Sequence, residues 1–341
     1  MTATTQDASG GPMVDVGDLT VRFHTARGEA VAVNHVSFSV QPGEVLGLIG
    51  ESGCGKSVTL RALMKLLPPA RTTIMGGVQV DGRNVLAMSE RELGDYRGGT
   101  TAMIFQDPAL ALDPVYTIGQ QIGEAVQRHT GCRKAQARDR AQALLEQVKV
   151  PSARSRLDNY PHEMSGGMRQ RSMIALALSC NPKLLLADEP TTALDATVQI
   201  QVLLIIRELQ KRLGMSTVFV THDLGVAAEI CDRIAVMYAG RIVETGTVGD
   251  VLQSPQHPYT QALLASTIHG SMRGTRIEGI PGAPPDLTRL PAGCAFRDRC
   301  SRAVARCAQD VPPLAAVKGL GKAACWLLSQ DGPSAQSAAL A

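Results

Sequence analysis

The stretch Gly50-Glu51-Ser52-Gly53-Cys54-Gly55-Lys56-Ser57 decides the fold, because it has the G-x-x-x-x-G-K-[ST] spacing of a phosphate-binding loop. It follows the apolar run Val45 to Ile49, which predicts a buried strand, and precedes a helical stretch from Val58. Glycines let successive backbone N–H groups turn inward, and the following helix presents its positive end to an anion. Lys56 supplies a charge for the outer phosphates, and the Ser57 hydroxyl is available to Mg²⁺. The stretch therefore predicts an α/β fold that binds a nucleotide.

Composition sets only broad limits. The 341 residues suffice for one large α/β domain plus an appendage, since single cores rarely exceed about 250 to 300 residues. Lys and Arg number 34 against 31 Asp and Glu, without a dense basic block, so no nucleic-acid partner is indicated. No apolar run is long enough to cross a bilayer, and the N-terminus lacks the segments of a signal peptide. We expect a cytoplasmic chain with a disordered leader at 1–12.

The order of strand and helix signals predicts a parallel sheet surrounded by helices. Between 14 and 40, β-branched residues alternate with polar ones, which predicts half-buried strands at the sheet margin. Gly76-Gly77 and Asp81-Gly82 are interpreted as the punctuation of another hairpin. From 119 to 150, apolar residues recur at three-to-four spacing, which is typical of a helical insertion. Residues 184–187 predict a further buried strand.

Two adjacent carboxylates follow that strand. Asp188 lies at its C-terminal end, where an open α/β sheet places its ligands, and is expected to hold Mg²⁺. Glu189 follows directly and is placed to activate a water in line with the terminal phosphate, as a general base. His222 ends the next predicted strand, where an imidazole can hydrogen-bond a phosphate and the attacking water. The arrangement predicts nucleotide hydrolysis.

Further motifs complete a recognisable order along residues 14–252. They are Gln106, the loop Ser165-Gly166-Gly167-Met168-Arg169-Gln170, the triplet Ala193-Leu194-Asp195, and His222. With the phosphate loop and the carboxylate pair, they resemble the glutamine loop, signature loop, D-loop and switch histidine of the ATP-binding cassette (ABC) ATPases. The resemblance implies a P-loop, RecA-like parallel-sheet core with an antiparallel β margin and a helical subdomain.

The same resemblance implies roles around ATP and Mg²⁺. The loop 50–57, Asp188 and Asp195 would contact ATP, and Gln106 would join Ser57 and Asp188 around Mg²⁺. Glu189, His222 and Gln106 would take part in hydrolysis. The family stacks adenine on an aromatic side chain near the first strands, for which Phe23 is the candidate, although Arg27 is closer to the expected spacing.

The signature loop implies that the working unit is double. In the family, this loop approaches the γ-phosphate from the opposite subunit at the start of a helix. Here Ser165, Gly166, Gly167 and Met168 would meet the nucleotide of a second cassette, either a copy or a homologue. Met168 departs from the Gln of many cassettes, but Ser165 and the glycines are kept.

The C-terminal part resembles dipeptide and oligopeptide importer ATPases. The segments that carry this resemblance are Ser254-Pro255-Gln256-His257-Pro258-Tyr259-Thr260-Gln261-Ala262-Leu263-Leu264, Ile280-Pro281-Gly282-Ala283-Pro284-Pro285 and Pro291-Ala292-Gly293-Cys294. The resemblance implies a non-identical partner ATPase, two transmembrane permeases and an extracytoplasmic solute-binding protein, with this chain peripheral at the cytoplasmic face of the membrane. Residues 107–116 and the helical insertion would contact a permease. Importers of nickel or oligosaccharides remain the alternative, because the solute is not encoded here.

Four cysteines crowd the C-terminal part at Cys294, Cys300, Cys307 and Cys325. Their spacings are not the C-x₂-C pairs of common zinc sites, and disulfides are disfavoured in the cytosol. Four thiolates can saturate a [4Fe–4S] cluster, which some members of the subfamily carry in this region. We expect such a cluster in a structural role; zinc and free cysteines are the alternatives.

The resemblance also divides the chain. It implies an ABC nucleotide-binding domain at 13–253 with its helical subdomain at about 108–163, a small irregular Cys-rich extension at 254–330, and a disordered tail at 331–341.

Chromosome-maintenance ATPases share the motifs but insert long coiled coils, and the stretch between Lys56 and Ser165 has no sustained heptads. Translation-associated relatives carry two cassettes in one chain, whereas one is present here. A catalytically inactive cassette is disfavoured because the candidate general base and switch histidine are both present.

Overall fold

The computed structural model describes residues 11–26, 28–191, 195–266, 279–317, 319 and 321–328. The tail expected at 331–341, and nearly all of the leader expected at 1–12, lie outside these residues. The strands are β1 (Val14–Thr25), β2 (Gly28–Val40), β3 (Val45–Ile49), β4 (Thr72–Val80), β5 (Arg83–Asn84), β6 (Thr101–Ile104), β7 (Leu184–Asp188), β8 (Ser216–Thr221), β9 (Arg233–Tyr238), β10 (Arg241–Thr247), β11 (Ala315–Ala316) and β12 (Lys322–Ala323). The helices are α1 (Lys56–Leu63), α2 (Glu90–Asp95), α3 (Pro108–Ala111), α4 (Ile118–Thr130), α5 (Lys134–Gln147), α6 (Ala153–Arg156), α7 (Gly166–Ala177), α8 (Ala196–Leu213), α9 (Leu224–Ile230), α10 (Val248–Gln253), α11 (Pro258–Ala265) and α12 (Arg306–Gln309).

The main sheet has eight strands in the order β11-β12-β10-β9-β3-β8-β7-β6. Its central strands β9, β3, β8, β7 and β6 are parallel, which confirms the expected core. Because the carboxyl ends of parallel strands share one edge, the phosphate loop after β3, the carboxylates at the end of β7 and His222 after β8 are brought together. A second, antiparallel sheet in the order β2-β1-β4-β5 forms the expected margin.

The predicted helical insertion is present between β6 and β7. Its first long helix, α4, begins with a capping box, in which Thr117 Oγ1 accepts from Gln120 N–H and the Gln120 side chain accepts from Thr117 N–H. It ends at Gly131, which has φ 67° and supplies the left-handed residue that terminates helices. The apolar faces of α4 and α5 are buried in one hydrophobic cluster with α7 and β7.

The C-terminal extension joins the main sheet. Strand β12 pairs with β10 through Glu244 and Ala323, and β11 pairs with β12, so backbone groups at the edge of β10 are partly satisfied by the extension. Phe296 packs against Tyr238 and Tyr259, with ring centroids 5.3 and 5.4 Å away. The expected small, irregular Cys-rich C-terminal domain is therefore not confirmed, because this part shares a sheet and a core with the cassette.

Candidate functional site

The phosphate loop is pressed closely against its neighbours. Gly55 has φ 108°, and a Cβ at this position would overlap the carbonyl oxygen of Ala32 in β2. A Cβ at Gly50 would overlap the carbonyl oxygen of Met237 in β9. Glycine is required at both positions, since only a residue without a side chain lets the loop curl this tightly and aim its N–H groups at an anion.

Lys56 places its charge inside the loop. The side chain is buried, and its Nζ donates to the carbonyl oxygens of Gly50 at 2.8 Å and Glu51 at 3.0 Å. An ammonium group has three protons to donate and no acceptor, so these bonds hold its position without neutralising its charge. The charge is thus in place before a triphosphate arrives.

Ser57 and Asp188 join the start of α1 to the end of β7. The Ser57 hydroxyl donates to Asp188 Oδ1 at 2.7 Å, and Asp188 is buried. Burial raises the pKa of the Asp188 carboxyl, and the hydrogen bond from Ser57 offsets part of that shift. A hydroxyl and a carboxylate side by side are the hard oxygen donors that Mg²⁺ takes beside a nucleotide, so this pair fits the expected ion.

Glu189 is held in a strained conformation between two polar side chains. Its φ is 45°, a left-handed value that is uncommon for residues other than glycine, and its N–H donates to the carbonyl of Val220 at 3.1 Å. The Glu189 carboxylate oxygen Oε2 lies 3.3 Å from His222 Nδ1 and accepts from Gln106 Nε2 at 3.4 Å. The geometry therefore gathers the three residues expected to act in hydrolysis.

One open cleft contains most of the predicted site. Its lining residues are Ala32, Ser52, Gly53, Gly55, Lys56, Ser57, Val58, Gln106, Glu189, His222 and Leu287. Asp188 reaches this cleft through Ser57. Phe23, the candidate adenine contact, does not line it; the side chain packs on the core of the antiparallel sheet. Arg27 lies outside the described residues.

The signature loop lies away from this cleft. Ser165 caps α7, with its Oγ accepting from Met168 N–H at 3.3 Å, and no residue of 165–168 lines the cleft. Asp195 similarly caps α8 through Val198 N–H, while Ala193 and Leu194 lie outside the described residues. The signature loop of one chain is therefore not placed to serve that chain's own nucleotide.

Sequence reasoning missed the contacts by which two residues hold the site from behind. Gln170 is buried on α7 and donates through Nε2 to the carbonyl oxygen of Pro190, which links the signature helix to the turn that carries Glu189. The Tyr259 hydroxyl accepts from the N–H of Glu51 at 2.9 Å. Tyr259 was visible only as part of a resemblance segment, and nothing in the pattern indicated a contact with the phosphate loop.

The four clustered cysteines line one small cavity, together with His257 and Trp326 among others. Within the part of the chain that the structure describes, no three His, Cys, Asp or Glu side chains are grouped closely enough to hold a metal ion. Burial raises the pKa of the Cys294 thiol to about 11, so in the metal-free chain this thiol is protonated. The predicted [4Fe–4S] cluster is therefore not confirmed.

Comparison with known proteins agrees with this geometry. Residues 33–192 match the family model described as ABC transporter, and residues 243–307 match the one described as oligopeptide/dipeptide transporter, C-terminal region. "Probable peptide ABC transporter ATP-binding protein y4tR" of Sinorhizobium fredii is 49% identical, over 92% of this chain and 94% of that protein. Oligopeptide transport ATP-binding protein OppD of Bacillus subtilis is 46% identical, over 95% of this chain and 91% of its own. The dimeric ATP-binding cassette MJ0796 bound to ADP and Pi has a TM-score of 0.63 and 26% identity, covering 69% of this chain and 99% of that one.

Proposed function

The chain belongs to the family of ABC transporter ATPases, and we propose that it is the ATP-hydrolysing subunit that energises import of peptides. The cleft that gathers Lys56, Ser57, Glu189 and His222 supports ATP hydrolysis. The match of 243–307 to the peptide-transporter C-terminal region, with relatives named for peptide transport, favours peptides over nickel or oligosaccharides.

The proposed mechanism uses residues that already face one another. The loop amides and Lys56 bind the triphosphate and fix its γ-phosphate against the carboxyl ends of β3 and β7. Ser57, Asp188 and Gln106 would hold Mg²⁺, which would neutralise charge on the bound triphosphate. Glu189 accepts a proton from the attacking water, while His222 and Gln106 orient that water and the carboxylate.

Hydrolysis is coupled to transport through two kinds of partner. A second cassette supplies its signature loop to this cleft, and this chain's Ser165 serves the other nucleotide in return. The segment 107–116 offers a permease exposed apolar side chains, with Leu110 88% and Tyr116 52% exposed. No helix among the described residues is long and apolar enough to span a membrane. We place the chain at the cytoplasmic face of the membrane, with two permeases, a non-identical ATPase and an extracytoplasmic binding protein.

Peptide-dependent turnover tests the transport role. The complex that copurifies with this chain from membranes should contain permease subunits, and its ATPase rate in proteoliposomes should rise when a peptide-loaded binding protein is added. Nickel salts and oligosaccharides serve as controls and should leave the rate unchanged. Stimulation by one of these controls, with peptides inert, would contradict the proposed substrate class.

The [4Fe–4S] cluster remains a proposal, supported by four cysteines around one cavity. Cys294, Cys300, Cys307 and Cys325 would hold it, and its role would be to stabilise the extension. Protein purified without oxygen should contain about four iron atoms per chain and absorb in the visible range. Replacing Cys300 and Cys307 with Ser should remove both signals, whereas an iron-free, colourless parent protein would end the proposal.

A further inference from the structure

The phosphate loop is held from behind by an arginine of the C-terminal extension. Arg299 donates from Nη1 to Glu51 Oε2 at 2.8 Å and from Nη2 to Glu51 Oε1 at 2.9 Å, forming a two-pronged ion pair. Glu51 is the second residue of the loop, and 248 positions separate the two partners in sequence. The Arg299 side chain is only 6% exposed, so solvent screens this pair much less than a surface salt bridge.

The guanidinium has its other contacts within the extension and the cassette core. Its Nε donates to the carbonyl of Pro281 at 2.9 Å, and Nη1 also donates to the Tyr238 hydroxyl at 3.2 Å. The Arg299 Cζ lies 5.8 Å from the ring centre of Tyr238 and 5.9 Å from that of Phe296. The hydrogen bonds to Glu51 raise the pKa of Arg299, so it stays charged. These contacts fix the fork in one orientation towards the loop.

Glu51 is consequently anchored at every polar group. Arg299 holds its carboxylate, the Tyr259 hydroxyl accepts from its N–H, and Lys56 donates to its carbonyl oxygen. Glu51 does not line the nucleotide cleft. The Arg299–Glu51 ion pair therefore acts on the shape of the loop rather than on the nucleotide directly. Leu287 adds a second link, because its carbonyl accepts from Val31 N–H at 2.9 Å and the residue lines the cleft.

We infer that the extension is part of the nucleotide-binding machinery, with Arg299 as a positioning residue that preorganises the phosphate loop through Glu51. This inference rests on the proposed function, since it concerns the affinity of the same cleft for ATP. A loop fixed before binding loses less conformational freedom when the triphosphate binds. The Arg299–Glu51 ion pair therefore strengthens ATP binding without touching the reacting atoms.

Calorimetric titration of the full chain with MgATP, together with steady-state kinetics, tests the inference. Arg299→Ala should weaken ATP binding by about tenfold and raise KM similarly, because a charge-assisted pair is lost, while kcat stays within about twofold. Arg299→Lys keeps the positive charge but not the bidentate pairing with Glu51, so its ATP affinity should lie between those of the parent and Arg299→Ala. Arg297→Ala is the matched control: Arg297 is on the same short turn but contacts Asp298 and the Ala308 carbonyl. It should bind ATP like the parent.

A double-mutant cycle separates positioning from folding. If Arg299 acts through Glu51, the double variant Glu51→Gln with Arg299→Ala should bind ATP more tightly than Arg299→Ala alone, since no unpaired carboxylate is left. If the losses of ATP affinity in the two single variants simply add in the double variant, the positioning role is refuted. It is also refuted if kcat and thermal stability of Arg299→Ala fall together with its ATP affinity. If Arg299→Ala does not fold, Arg299→Lys and Glu51→Gln carry the same cycle. A parent that neither binds nor hydrolyses ATP would refute the proposed function itself; a normal parent with an unaffected Arg299→Ala would refute only this inference.

Discussion

The Glu189→Gln variant should bind MgATP as tightly as the parent but hydrolyse it between about a hundred and ten thousand times more slowly. The amide keeps the size and the hydrogen bonds of the side chain beside Gln106 and His222, but it cannot take a proton from water. Phosphate release measured over time in the assembled transporter, with ATP binding measured in parallel, gives both quantities.

A glutamate outside the cleft provides the control for this loss. Glu229 lies on α9 outside the residues that line the cleft, so Glu229→Gln changes the same chemical group without touching the site. It should hydrolyse ATP at the parent rate. Parent-like turnover by Glu189→Gln would contradict the assignment of the general base.

The Lys56→Ala variant should lose hydrolysis by about a hundredfold or more, because one preorganised positive charge at the phosphates is removed. Unlike Glu189→Gln, it should also bind MgATP weakly. The substitution also removes the hydrogen bonds that Lys56 Nζ donates to the carbonyl oxygens of Gly50 and Glu51. The ATP affinity, measured by nucleotide titration, and the hydrolysis rate, measured by phosphate release, should therefore fall together.

Lys183→Ala is the matched control for this variant. Lys183 directly precedes β7 and so lies at the opposite end of the strand from Asp188. Its side chain is 64% exposed and forms an ion pair with Asp81. Its removal should leave ATP binding unchanged. If Lys56→Ala bound ATP as well as Lys183→Ala does, the charge in the loop would have no role in binding.

Local pattern was enough to predict the elements that carry the chemistry. The buried strands before Gly50 and at 184–188 are short continuous apolar runs between polar or glycine-rich boundaries, and the ends of parallel strands necessarily meet. The gathering of Lys56, Glu189 and His222 therefore follows from strand order. The interpretation of Gly76-Gly77 as hairpin punctuation is wrong, because the pair lies inside β4. There Gly76 has φ 96° and packs against the backbone of Asp18 at an irregularity of β1. A glycine pair is typical of turns, but close approach of a neighbouring strand requires it equally.

The contacts of the extension could not be predicted in the same way. Arg299 meets Glu51 across 248 positions, and neither periodicity nor composition encodes a pairing at that separation. Leu287 is one apolar residue in a stretch rich in proline and glycine, so nothing distinguishes it from a loop residue. Phe23 is the aromatic side chain near the first strands, but it is half-buried and packs against the core of the antiparallel sheet, which is the competing use of an aromatic ring.

We expect ATP in this cleft to be enclosed by a second cassette. An electron cryomicroscopy structure of the transporter with Glu189→Gln and MgATP would show whether it is. We predict a γ-phosphate that contacts Lys56 of this chain and the signature loop of the partner cassette, with Ser165 at the second nucleotide. ATP bound at Lys56 while both signature loops face solvent, far from any phosphate, would rule out a shared nucleotide site.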